Sequence, residues 1–349
     1  MAAVLRIGFA APLTGDQAVV GVPMARCAEM ALIDARRAGW LSRRVALEAV
    51  DDRADPAWAR EVARRFAQDP RVIGVVGHKN SGPSAAAAPV YNAADVVQVT
   101  PSATAPDLSR QGYRTFFRLC AHDGRQALAA ARAATQILGA RRLAVVHDGT
   151  GYGRPLARAF SSAVRAVGAD LRGALRLVPG AGAHPRVVEC VRRLRPDLVF
   201  CALTEIDSSA LVRDLRAAGV GVRVLGTDGG AGSLFPRLAG PAGEGTYHTY
   251  AGSVPAGPMG RAFTRACRKW FGAPPPYGAE VYDAVTVLLA ALATVGQADR
   301  AAVLAEVKQT DRIGVTGRLR FNRYGDRVDP QVTLWRVRQG RMELVDRLT

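Results

Sequence analysis

Ser81, Ser102, Thr104 and Asp228 are small polar residues that follow apolar runs of strand length at residues 72–77, 96–100 and 222–226. Strands of an open parallel sheet deliver their carboxyl ends to one edge, and ligands bind in the crevice beyond it. Hydroxyls, backbone amides and one carboxylate at such an edge suit the capture of a small molecule. They supply no obvious catalyst.

Each residue has an ordinary reading beside the functional one. Ser81 precedes Gly82-Pro83 and a helical stretch at 84–94, so it stands where backbone donors lack internal partners and an anion is favoured. It fits equally as a helix N-cap. Thr104 brings an amide and a hydroxyl that can serve a carboxylate and an ammonium. Asp228, in Gly226-Thr227-Asp228-Gly229, can approach a ligand closely and offset an ammonium through a charge-assisted bond, or serve as a plain turn residue. Tyr152 offers a hydroxyl and a ring face, or covers the core.

Catalytic patterns are missing. His78, His122, His147, His184 and His248 form no HExxH or paired spacing, and there is no GxSxG elbow. Gly149, Gly151 and Gly153 lack the lysine of a P-loop and a complete dinucleotide fingerprint. No enzyme, cofactor or metal site is expected. Cys27, Cys120, Cys190, Cys201 and Cys267 show no CxxC spacing; they read as buried single thiols and give no disulfide framework.

The net charge of +17 comes almost wholly from arginine. These arginines scatter over the expected helices, which reads as a solvated surface, not a nucleic-acid footprint. At 349 residues the chain fits two compact domains. The apolar stretch at 284–295 falls short of a membrane span, so a soluble protein is expected. No basic-then-apolar leader precedes the strand at 4–9; a removed leader and a cytosolic location both fit.

Strand-like runs at 45–51, 72–77, 96–100, 143–147, 198–203 and 222–226 alternate with amphipathic helical stretches. At 56–66, Trp58, Val62, Ala63 and Phe66 share one face and Asp55 stands ready to cap. This alternation predicts an α/β chain of doubly wound parallel sheets. It breaks near 116–123, 246–252 and 325–330, as three hinge crossings between two lobes would require. The expected lobes are 1–120 with 251–328 and 121–250 with 329–349, with the ligand cleft between them. Short strands joined by turns are expected at 319–321, 332–337 and 342–345.

In that order the motifs resemble the type I periplasmic solute-binding proteins of the leucine/isoleucine/valine-binding family. They are Ile7-Gly8-Phe9-Ala10-Ala11-Pro12-Leu13-Thr14-Gly15, Asp51-Asp52, Gly77-His78-Lys79-Asn80-Ser81, Thr100-Pro101-Ser102-Ala103-Thr104, Phe117-Arg118, His147-Asp148-Gly149-Thr150-Gly151-Tyr152-Gly153, Gly226-Thr227-Asp228-Gly229, Tyr282-Asp283-Ala284 and Gly314-Val315-Thr316-Gly317 before Phe321. The resemblance implies two lobes closing over a ligand by rigid-body motion, in the substrate-binding component of a branched-chain-type amino acid ABC importer. The ligand would be an α-amino acid or a related small molecule, the partner a membrane ABC permease, the location periplasmic or extracytoplasmic, and the protein a monomer. Site residues carried over are Ser81, Ser102, Ala103, Thr104, Tyr152 and Asp228, with the Ser102 carbonyl taking the amine. Val20, Thr204 and Glu205 stand where aromatic walls are common in the family, which would enlarge the pocket. Glu205 would welcome a second cationic group if it points inward, and is otherwise a solvated loop residue. The cysteine pair that bridges some members is replaced by Ala54 and Asn80, so stability is expected from packing alone. A cytosolic amide or amino acid sensor with the same fold is the alternative; the helix-turn-helix of a repressor is absent before the first strand.

Overall fold

A computed structural model describes residues 4–181, 183–228 and 234–348. In chain order the elements are β1 (Leu5–Ala11), α1 (Ala18–Arg37), β2 (Val45–Asp51), α2 (Pro56–Gln68), β3 (Val72–Gly77), α3 (Ser81–Ala93), β4 (Val97–Thr100), β5 (Phe116–Arg118), α4 (Asp123–Arg132), β6 (Arg142–His147) and α5 (Gly153–Ala166). There follow β7 (Asp170–Arg176), α6 (Pro185–Leu194), β8 (Leu198–Ala202), α7 (Glu205–Ala217), β9 (Arg223–Gly226), α8 (Leu234–Ala239) and β10 (Tyr247–Tyr250). The chain closes with α9 (Gly257–Phe271), α10 (Gly278–Val295), α11 (Arg300–Lys308), β11 (Asp311–Gly314), β12 (Gly317–Arg320), β13 (Thr333–Arg338) and β14 (Arg341–Arg347).

Two compact units result. Unit 1 is Met1–Ala121 with Gly252–Pro330, and unit 2 is His122–Ala251 with Gln331–Thr349. Unit 1 holds a parallel sheet in the order β2-β1-β3-β4-β5, and β11 pairs antiparallel with β12. Unit 2 holds the order β14-β13-β10-β9-β8-β6-β7. Its β7, β6, β8, β9 and β10 run parallel, while β13 and β14 join antiparallel.

Strand composition explains why both faces of the unit 2 sheet are covered. Successive side chains of a strand point to opposite faces. In β6, Leu143 and Val145 join a core with Leu156 and Phe160 of α5. Ala144 and Val146 join the opposite core with Val188 of α6 and Leu211 of α7. A strand buried on both faces must read as a continuous apolar run, as this one does.

In unit 1, α2 and α3 lay Val62, Phe66, Ala87 and Tyr91 against Ala10, Val72 and Val75 of the sheet. Asp55 caps α2, its side chain accepting from the Trp58 N–H at 2.8 Å. α10 covers β3 closely because Gly74 has no side chain: a Cβ there would stand 2.7 Å from Leu288 Cδ2. α10 is longer than the apolar stretch legible in the sequence, and by length and composition its 18 residues could cross a membrane. With 72% of it buried it is a core helix of unit 1, apolar over most of its surface but carrying Glu280 and Asp283 into the interior.

Candidate functional site

β3 ends at Gly77 with φ +141°, where a Cβ would stand 2.4 Å from the Ala10 carbonyl oxygen, so only glycine fits. The loop that follows is pinned by its own backbone, since the His78 carbonyl accepts from the Thr100 hydroxyl at 2.9 Å and the Ser84 hydroxyl at 3.0 Å. α3 starts at Ser81 and not near residue 84. Asn80, not Ser81, occupies the N-cap position, and its side chain makes no capping bond. The N-cap reading of Ser81 is therefore corrected: its buried hydroxyl accepts from the Ala105 N–H at 3.2 Å, tying the helix start to the loop after β4.

In that second loop the Thr100 hydroxyl accepts from the Ala103 N–H at 3.0 Å, and the half-buried Ser102 donates its hydroxyl to the Lys79 carbonyl at 2.9 Å. The Ala103 carbonyl accepts from Arg118 Nη1 at 3.2 Å, so Ala103 is spent on holding the loop. Thr104 is 1% exposed, and its Oγ1 has no hydrogen-bond partner among the described residues. Unit 1 thus assembles helix-start amides, which lack i−4 partners, with one unsatisfied hydroxyl. Lys79 adds a cation that sequence reasoning passed over. Its Nζ donates to Gln17 Oε1 at 3.1 Å and Asn80 Oδ1 at 3.2 Å, and Gln17 also accepts from Asn80 Nδ2. Val20 is buried in the first turn of α1.

Unit 2 builds around Asp228, 6% exposed beyond the end of β9. Its Oδ1 accepts from Gln126 Nε2 and from the Ala251 N–H, both at 2.7 Å, and its Oδ2 accepts from the Tyr152 hydroxyl at 3.1 Å. The phenol oxygen also lies 2.8 Å from Thr227 Oγ1, its second hydrogen-bond partner. Burial and the nearby Asp228 carboxylate hold the Tyr152 phenol well above its ordinary value, so it stays protonated as a donor. Tyr152 also packs on the α5 face of the unit 2 core, as its core-covering reading expected. β9 delivers Asp228 through Gly226, where a Cβ would stand 2.2 Å from His248 Nδ1. Gly229 lies outside the described residues.

Gln126 was not foreseen. It is fully buried in α4, its Nε2 reaching Asp228 and, at 3.3 Å, Thr249, while its Oε1 has no partner among the described residues. The available signal was a lone amide opening the alanine-rich run Ala127-Leu128-Ala129-Ala130-Ala131.

Thr204 and Glu205 both stand at the start of α7. Thr204 is the N-cap of α7, its hydroxyl accepting from the Asp207 N–H at 3.4 Å and donating to Asp207 Oδ2 at 3.1 Å. Glu205 is half-buried in the first turn of that helix, where a carboxylate suits the dipole, so the solvated-loop reading is corrected to a helix start. The loop of Gly149, Gly151 and Gly153 folds around Asp148, whose Oδ1 accepts from the Thr150 N–H at 2.9 Å and hydroxyl at 2.7 Å. A Cβ at Gly153 would stand 2.2 Å from that oxygen. This glycine makes room for a carboxylate, the opposite of a phosphate cradle.

A model of the periplasmic binding proteins matches residues 4–341. The chain belongs to the periplasmic binding protein family. A Leu/Ile/Val-binding protein homolog of Brucella melitensis is 27% identical over 97% of this chain and 92% of its own length. An ABC transporter substrate-binding protein of Desulfitobacterium hafniense, solved in complex with Leu, is 26% identical over 98% of this chain and all of its own, with a TM-score of 0.83. A leucine-binding protein of Thermotoga maritima matches the fold at a TM-score of 0.92 over 99% of this chain and 98% of its own, at 24% identity. The two-lobed fold is that of the type I periplasmic binding proteins, and the family is one of solute-binding proteins, not enzymes.

Proposed function

We propose that this protein binds an α-amino acid as the extracytoplasmic substrate-binding component of a branched-chain-type ABC importer and delivers it to a membrane permease. The observation that carries the ligand class is Asp228, a buried carboxylate at the end of a parallel strand that accepts from Gln126, Tyr152 and the Ala251 N–H. Such a group is the charge complement of an ammonium. In unit 1 the start of α3 and the unsatisfied Thr104 hydroxyl complement a carboxylate. A buried hydroxyl without a partner costs about 1–3 kcal/mol, which a ligand carboxylate recovers by accepting from it. The names of the curated relatives support the same ligand class.

Calorimetric titration of protein refolded free of carried-over ligand tests this reading against L-amino acids, their deaminated acids, simple amides and aromatic carboxylates. Tight one-to-one binding restricted to amino acids is expected. Binding of acids or amides alone would keep the fold and overturn both the substrate class and the role of Asp228.

A further inference from the structure

At the edge of the unit 2 sheet where the parallel strands begin, four arginines line an open groove of about 640 Å³ whose one acidic residue is Asp197. Arg141 precedes β6, Arg195 precedes β8 and Arg223 opens β9, three neighbouring strands of the sheet, and Arg192 lies in the last turn of α6. Asp228 follows the other end of β9, so the groove and the candidate amino acid site occupy opposite edges of one sheet.

The acid of the groove does not neutralise it. Asp197 Oδ2 accepts from the N–H groups of Arg141 and Arg142 at 3.1 and 2.9 Å, and its Oδ1 from Nε and Nη2 of Arg142 at 3.1 and 2.6 Å. It is thus committed to a further arginine that is not part of the lining. Arg192 is anchored through Nη2 to the Ala218 carbonyl and through Nη1 to Glu189, both at 2.9 Å, and Arg223 donates to the Leu138 carbonyl. The guanidinium groups of Arg141 and Arg195 have no partner among the described residues.

Arg195 stands there at a backbone cost. The turns that feed the groove each pass through a left-handed residue, Gly139 at φ +63°, Gly219 at φ +70° and Arg195 at φ +46°. A Cβ at either glycine would meet nothing within 4 Å, so the backbone angle and not space selects glycine there. At Arg195 the same angle is carried by an L residue whose guanidinium bonds to no described group.

We propose that this groove binds a compact oxyanion of two or more charges, a phosphate or polycarboxylate of small-molecule size. Its volume lies in the range of small-molecule pockets. Guanidinium forks match the paired oxygens of phosphate and carboxylate, and a cleft lined by one sign of charge focuses its field on an anion. Arg192 and Arg223 are held in place by carbonyls, while Arg141 and Arg195 supply the uncommitted donors. The groove is independent of Asp228 and of the amino acid reading.

The test is calorimetric titration of the full chain with pyrophosphate, with citrate and with acetate at low ionic strength, where screening is weak. Pyrophosphate or citrate is expected to bind one-to-one and acetate not to bind; the tighter of the two tells phosphate from polycarboxylate. Affinity should fall about tenfold in Arg195→Gly, the worth of one hydrogen-bonded charge contact. Because glycine suits the left-handed backbone, that variant should melt no lower than the parent, which separates lost binding from lost folding. Arg141→Gln should weaken the same anion. Arg60→Gln, an exposed arginine on α2 of unit 1, should not. No binding of either polyanion, unchanged affinity in Arg195→Gly, or an equal loss in Arg60→Gln would overturn the site and leave the arginines as dispersed surface charge.

Discussion

Asp52 Oδ2 and His78 Nδ1 lie 2.7 Å apart, and neither side chain is exposed. His78 Nε2 continues to the Tyr91 hydroxyl at 3.2 Å. This buried chain of hydrogen bonds joins the loop after β2, which holds Ala54, to the loop after β3, which holds Asn80. Packing alone is therefore not what ties these loops together. Burial, with the Asp52 carboxylate second, pushes the Tyr91 phenol well above its ordinary value, so it remains a neutral partner for the imidazole.

Asp52→Ala removes the acceptor and leaves His78 buried and short of a partner. The expected loss is about 1–3 kcal/mol of stability, measured by urea denaturation. Because His78 precedes Ser81 in the same loop, weaker binding of the ligand should accompany it, and unchanged affinity would separate the relay from the site.

Thr104→Val separates binding from stability in the opposite way. The substitution removes a buried hydroxyl that has no partner among the described residues, so the unliganded protein should be as stable as before or slightly more. Ligand affinity should fall by about tenfold, the worth of one hydrogen bond to a charged group, as read by titration calorimetry. Equal affinity would remove Thr104 from the site.

Asp228→Ala should weaken binding of an α-amino acid by a far larger factor than binding of its deaminated analogue. A charge-assisted bond to an ammonium is lost only with the first ligand. Matched losses for the two ligands would mean that Asp228 shapes the site without meeting the amine.

The pH dependence of stability should have opposite signs in the two units. In unit 1, burial pushes Glu280 up to about 7 from an ordinary 4.5. Between those values the folded unit keeps a proton that the unfolded chain has released, so stability is lost as pH rises, by about 1 kcal/mol per unit. In unit 2, burial pushes His248 down to about 3 from 6.5. There the unfolded chain binds the proton first, and stability is lost as pH falls below 6.5. The two windows offset each other between 4.5 and 6.5, so urea denaturation should show Glu280→Gln removing the loss between 6.5 and about 7, and His248→Asn removing the loss between 4.5 and about 3.

Arg300 of α11 donates to the carbonyls of Phe66, Ala67 and Asp69 at the end of α2, of Val72 in β3 and of Ala94 after α3. A planar guanidinium reaches several acceptors at once, and a cation suits helix carboxyl ends. Arg300→Ala should cost about 2 kcal/mol or more, because several part-buried carbonyls lose their donor. Arg300→Lys should recover only a fraction of it in thermal unfolding.

Local pattern determined much of this protein. Apolar runs buried on both faces announced the parallel strands, Asp55 announced the start of α2, and small polar residues after 72–77, 96–100 and 222–226 marked the sheet edges where Ser81, Thr104 and Asp228 stand. Each of these signals lies within a few residues of the feature it marks, where backbone geometry and side-chain periodicity act. Tertiary structure decided which distant groups meet. Gln126 reaches Asp228 across 102 residues, and Asp52 reaches His78 across 26. That Thr204 caps α7 while Ser81 turns to the Ala105 N–H was decided in the same way. A hydroxyl near a helix start can cap it or turn elsewhere, and the choice is made by the donors and acceptors that folding brings within reach.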